Sequence, residues 1–131
     1  MTRAEGSFHV TGWNEETYGE LDGGGKLTRA TVEQTFTGAI EGEGSVVWLM
    51  FYRADGTAHF VGLQRVSGTV GGRTGSFVLE TDGEFDGTEA KGEWSVIAGS
   101  GTGGLLSISG SGGFTAPHGS DAAYELDHSL G

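Results

Sequence analysis

The sequence predicts an all-β protein: one small antiparallel up-and-down β-barrel of about eight strands, with residues 1–131 as a single domain. Three observations predict it. Apolar residues recur at spacing two, not at three and four. The apolar runs are short and bounded by glycine-rich turns. Glycine supplies 27 residues and proline only 1, with no Gly-X-Y period, so the glycines mark tight turns and strand bends rather than collagen.

Each element follows from its own pattern. "SFHVTGW" alternates Phe8 and Val10 with polar neighbours and forms strand one. "NEETYGELDGGGK" is expected to be an acidic loop and the most mobile part of the N-terminal third. "LTRATVEQTFTG" puts Ala30, Val32, Gln34 and Phe36 on one face, with Thr31, Glu33 and Thr35 on the other. "AIEGEG" is expected to be a turn.

"SVVWLMFYRADGTAHFVGLQRV" forms a hairpin. Asp55 can bond its own backbone and Gly56 can take positive φ, which makes Ala-Asp-Gly the turn. Setting Tyr52 across from Ala58 places Met50 opposite Phe60, Trp48 opposite Gly62 and Val46 opposite Gln64. Gly62 then leaves room beside a Trp ring. "GSFVLETDGEF" turns Phe77, Leu79, Thr81, Gly83 and Phe85 to one face. "EAKGEWSVIAG" does so with Gly92, Trp94 and Val96, and "LLSISGSGGF" with Leu106, Ile108, Gly110, Gly112 and Phe114. "DAAYELDH" ends the series with Ala122, Tyr124 and Leu126. A meander of this kind closes most simply into a barrel, because closure removes exposed edges.

Charge and composition exclude several functions. Eighteen acidic against 7 basic residues give a net charge of -11, which disfavours nucleic acid and anionic membrane surfaces as partners. No Cys is present, which rules out disulfides and thiolate chemistry and suits a reducing cytoplasm. The N-terminal "MTRAEGSFHV" lacks the apolar core of a signal peptide, and no apolar run is long enough for a membrane-spanning helix. A cytoplasmic location is therefore expected.

Motifs for chemistry are sparse. His9, His59, His118 and His128 make no His-x-His or His-x-x-x-His pair, so no metal site is read. "GGGK" lacks phosphate-loop spacing, and the other glycine runs lack the Asp of calcium-binding repeats. No cofactor is called for. Glu33, Glu80, Glu93 and Arg65 fall on the outer face in this register. The inward polar residues are Gln34, Tyr52, Gln64, Thr81 and Tyr124, and buried polar groups need partners. The candidate ligand-binding interior is Trp48, Met50, Tyr52, Phe60, Gln64, Thr81, Trp94 and Tyr124. Gly62, Gly83, Gly92 and Gly110 would leave volume beside them. No catalytic residue is identified.

Three segments, "KLTRATVEQTFTG…EGEGSV", "LMFYRADGTAHFVGLQRVSGTVGGRTGSFVLE" and "GSGTGG…GSGGFTAPHG", resemble a bacterial family of small domains of unknown function, domain of unknown function 3224. The likeness runs through nearly the whole chain. It implies a fold similar to the allene oxide cyclase barrel, also seen in dirigent proteins, and brings no activity with it. "GW" at Gly12–Trp13 is similar to the Gly-x-Trp of lipocalins, but the intervening residue is missing. A Trp plugging one barrel end is the simpler reading.

Three functions remain. The first is a barrel that binds a small apolar or aromatic molecule. The second is a cofactor-independent cyclase or isomerase that acts as a conformational template; it rests on analogy of fold with the allene oxide cyclase and dirigent barrels. The third is an assembly protein without ligand. Val47, Leu49, Phe51, Val61 and Leu63 crowd the outer face of one hairpin, so a homo-oligomer through that face is expected.

Overall fold

The computed structural model describes residues 1–131. Nine strands occur in order: β1 (Thr2–Glu20), β2 (Lys26–Gly38), β3 (Ile40–Tyr52), β4 (Ala58–Val70), β5 (Arg73–Phe85), β6 (Glu89–Val96), β7 (Thr102–Gly103), β8 (Ser109–Pro117) and β9 (Ala122–Ser129). Eight of them close an antiparallel up-and-down barrel, each pairing with the next and β9 returning to β1. The two-residue β7 is an extra strand beside Gly75 and Ser76 of β5. The expected barrel class is therefore the observed one. No helix of the chain is long and apolar enough to cross a membrane.

The β3–β4 hairpin has the expected register: Tyr52 faces Ala58, Met50 faces Phe60, Trp48 faces Gly62 and Val46 faces Gln64. Its turn uses the expected chemistry. Asp55 Oδ1 accepts from the Thr57 amide at 2.9 Å and from the Thr57 hydroxyl at 2.7 Å. Gly56 takes φ 88°, in the left-handed region that L side chains avoid.

Three segments differ from expectation. Asn14–Glu20 belongs to β1 rather than to a loop, and pairs with β2 as far as Glu20 opposite Lys26. Opposite charges face each other there, Glu16 across from Arg29 and Glu20 across from Lys26, so the ladder needs no apolar alternation. The expected turn over residues 39–44 is mostly the start of β3, with Ile40 already buried. Leu105 and Ile108 point inward while Leu106 is 70% exposed. The reason is a turn in which the Ile108 amide donates to the Leu105 carbonyl, changing the inward spacing from two to three.

Most of the large rings inside the barrel sit directly opposite a glycine on the next strand. Trp48 faces Gly62, Phe60 faces Gly83, Phe114 faces Gly92 and Tyr124 faces Gly6. A Cβ at Gly62 would lie 2.6 Å from Trp48 Cδ1, and one at Gly83 would lie 2.6 Å from Phe60 Cζ. At Gly92 it would strike the Phe114 ring. The rings therefore occupy the space of the missing side chains and meet one another across the barrel. Phe8 packs edge-on to Phe114 at 5.4 Å between centroids, and Trp94 lies 5.7 Å from Phe114 and 5.9 Å from Tyr124.

The barrel end that carries the β2–β3 and β4–β5 turns is filled. Ile40, Val70, Phe77, Leu105 and Ile108 are buried there. Tyr124 closes this end: its hydroxyl donates to the Thr37 carbonyl at 2.8 Å and accepts from the Ile40 amide at 2.9 Å. Between the rings and this plug lies a polar pair. Gln64 Nε2 donates to Gln34 Oε1, and both residues are fully buried. Gln34 Nε2 and Gln64 Oε1 have no partner, nor do Thr81 Oγ1, Trp48 Nε1 and Trp94 Nε1. The seam between the first and last strands is held outside by Arg3, which donates to Asp127 at 2.9 Å and to Glu125 at 3.2 Å.

Two predictions follow from this packing. A Cβ at Gly62 would also meet the fixed Val47 carbonyl, so Trp48 cannot relieve the clash alone. Gly62→Ala is expected to lower unfolding free energy by about 1–3 kcal/mol in urea titration; an unchanged midpoint would refute the ring-over-glycine account. Gln64→Leu leaves Gln34 buried without a partner and is expected to cost about 1–3 kcal/mol, most of it recovered when Gln34→Leu is added. A double-mutant cycle with purely additive losses would contradict that coupling.

Candidate functional site

The other barrel end is open. A cavity of about 670 Å³ lies where β1, β3, β5 and β8 end and where β4, β6 and β9 begin. Twelve of its 19 lining residues are hydrophobic, which sets its character as an apolar pocket with a few polar groups. Phe8, Trp48, Phe60 and Phe114 form the floor, which is the upper side of the ring cluster. Met50, Tyr52, Phe85, Ala90 and Ala116 form the walls. The rim comprises Val10, Trp13 and the Pro117–Ala122 loop.

A β-bulge in β1 decides which side chains face this cavity. Val10 pairs with Gln34, but Gly12 pairs with Glu33, leaving Thr11 as an extra residue. Before the bulge the even positions point inward, as buried Ala4 and Phe8 show. After it the odd positions do, because Trp13 faces buried Val32 and Glu15 faces buried Ala30. The bulge thus turns Trp13 and Glu15 into the barrel mouth.

Polar groups at the mouth are few and placed. Glu15 accepts from Trp13 Nε1 at 3.1 Å and from Thr28 Oγ1 at 2.7 Å. Trp13 lies 5.8 Å from Trp48, tilted across it. The Tyr52 hydroxyl is 3.8 Å from Met50 Sδ. Burial first, and then the neighbouring Glu15 carboxylate, push the Tyr52 phenol from 10.0 up to about 12. Tyr52 therefore stays a neutral hydroxyl throughout the physiological range. His9 Nδ1 meets Asp121 Oδ1 at 2.7 Å on the rim, joining β1 to the β8–β9 loop. His118 is the remaining titratable lining residue, and no Lys or Arg lines the cavity. No three His, Asp or Glu side chains converge in a way that would hold a metal ion.

The residues singled out from sequence divide into two groups. Trp48, Met50, Tyr52 and Phe60 line the cavity together. Gln64, Thr81 and Trp94 are buried outside its lining, and Tyr124 spends its hydroxyl on the Thr37 and Ile40 backbone. Sequence reasoning placed Trp13 at one barrel end but missed His9, Glu15 and Asp121 as mouth residues. Gly12 beside Trp13 was the available signal, since a glycine inside a strand often marks a bulge.

Comparison with known proteins agrees with this architecture. The family described as "Protein of unknown function (DUF3224)" matches residues 4–128. A crystal structure of a DUF3224-family protein with unknown function from Shewanella oneidensis MR-1 is similar, at 30% identity and a TM-score of 0.84. That similarity covers 98% of this chain and 97% of the other. No curated protein matches the chain. With the match running through all strands of the barrel and a solved member superposing over nearly its full length, the chain belongs to the DUF3224 family.

Proposed function

We propose that this barrel takes up one small apolar or aromatic molecule through its open end. The observation that carries this reading is the cavity itself: about 670 Å³, walled by Met50, Tyr52 and Phe85, and floored by rings that glycines hold in place. A barrel of eight strands either fills its interior or holds one small ligand. Here the closed end is filled and the open end is not. Burial of an apolar ligand on this floor would be favoured by roughly 25 cal/mol per Å² of apolar surface removed from water.

One observation favours a second reading. The His9–Asp121 pair holds His9 by Nδ1 beside the opening, on the outer side of β1, with its side chain 67% exposed and Nε2 unpaired. An imidazole held at the rim can move a proton to or from a molecule that reaches past the opening during cyclisation or isomerisation. Native mass spectrometry after exposure to a cell extract addresses both readings. A stoichiometric adduct is expected, and Ala90→Trp, which fills the half-buried wall, is expected to abolish it. Recovery of the molecule unchanged fits a binder; conversion that Ala90→Trp and His9→Gln both stop fits the template. A chain bare under every condition refutes uptake.

We also propose that a second copy of the chain covers the outer face of β3 and β4. Leu49 pairs with Val61, and Val47 with Leu63, to make one apolar surface, of which Leu63 is 55% exposed and Leu49 46%. Arg29 of β2 adjoins it on one side, and Glu80 and Asp82 of β5 adjoin it on the other. A two-fold contact would set each basic side against an acidic one. Sedimentation at micromolar concentration is expected to give a dimer or larger, and Leu63→Glu a monomer. A wild-type monomer would refute this assembly.

A further inference from the structure

Building on the proposed uptake, we infer that the cavity selects apolar molecules that carry a positive charge, such as a hydrophobic amine or quaternary ammonium. Glu15 is the central observation. Glu15 lines the cavity, and its oxygens are met by neutral donors alone: Trp13 Nε1, Thr28 Oγ1 and the neighbouring Tyr52 hydroxyl. It takes part in none of the ion pairs of the chain. A half-buried anion without a counter-ion, facing an apolar space, is a place that a ligand cation would complete.

The surrounding groups have the same preference. Trp13, Trp48 and Tyr52 present aromatic rings around the Glu15 side of the mouth, and ring faces attract cations. The fold already uses this interaction at the rim: Lys26 Nζ lies 5.1 Å from the Tyr52 ring centroid, while Lys26 itself stays outside the cavity lining. Asp121 adds a second carboxylate, partnered by His9. With no Lys or Arg in the lining, an anionic ligand finds no fixed cation there. The net charge of -11 extends the effect outward, drawing cations to the mouth and repelling anions. A neutral ligand would gain the apolar contact but no charge pairing with Glu15.

The test uses three probes that share one ring system: naphthylmethyl-trimethylammonium, naphthylmethanol and naphthylacetate. Isothermal titration of the intact protein is expected to rank them cation, alcohol, anion, with the cation at least about tenfold tighter than the alcohol. Glu15→Gln is expected to remove the preference for the cation while leaving the affinity for the alcohol in place, which also reports that the variant is folded. Equal binding of cation and alcohol by the wild type would overturn charge selection and leave apolar uptake standing. A preference that survives Glu15→Gln would overturn the role of Glu15. Failure of all three probes to bind would overturn this inference together with the uptake on which it rests.

Discussion

The barrel depends on rings lying over bare backbone. An eight-stranded barrel has room inside for little more than its own side chains or one small ligand, so a large ring on one strand needs an absence on the next. Trp48, Phe60, Phe114 and Tyr124 each have that absence directly across the ladder, at Gly62, Gly83, Gly92 and Gly6. The rings can therefore lie flat and reach one another across the axis, where Phe8 and Trp94 join them. This tier divides the interior. The side with Ile40, Val70 and Leu105 is packed; the side with Met50, Tyr52 and Ala90 is open.

Stability and the candidate site thus share parts without sharing all of them. The floor of the cavity is core, and its residues are constrained by packing whatever the cavity does. The rim is different. Trp13 is 49% exposed and adds little to the core, yet a bulge is kept in β1 that turns it and Glu15 over the opening. A bulge disrupts the ladder locally and leaves one residue without a partner. An arrangement that gives up ladder regularity to aim a carboxylate into an apolar space is more readily understood as a feature of the site than of the fold.

The sequence made the fold legible where period-two alternation was clean. The β3–β4 register could be counted from Asp55 and Gly56 to the residue, because the turn fixes it. Alternation likewise placed Phe77, Leu79 and Thr81 inside. It failed where other forces set the geometry. Cross-strand charge pairs carry the end of β1, where no apolar pattern exists to read. A spacing of three across a turn put Leu105 inward instead of Leu106. The candidate site was half legible for the same reason. Trp48, Met50, Tyr52 and Phe60 lie on regular strands, whereas Trp13 and Glu15 face inward only after the count slips at Thr11. Tyr124 illustrates the limit of direction alone: it points inward as expected, but its hydroxyl is consumed by the Thr37 and Ile40 backbone.

The seam between β1 and β9 gives the molecule an order of assembly. Thr2 pairs with His128 and Phe8 with Ala122, so the first strand waits for the last. Every other ladder of the barrel joins strands that follow one another around it, with only the two-residue β7 intervening between β6 and β8. The barrel cannot close until β9 reaches β1, and until then β1 has only β2 beside it. Until that seam forms the sheet has two unpaired edges, and Arg3, reaching Asp127 and Glu125 across it, adds a side-chain contact to the ladder that closes it.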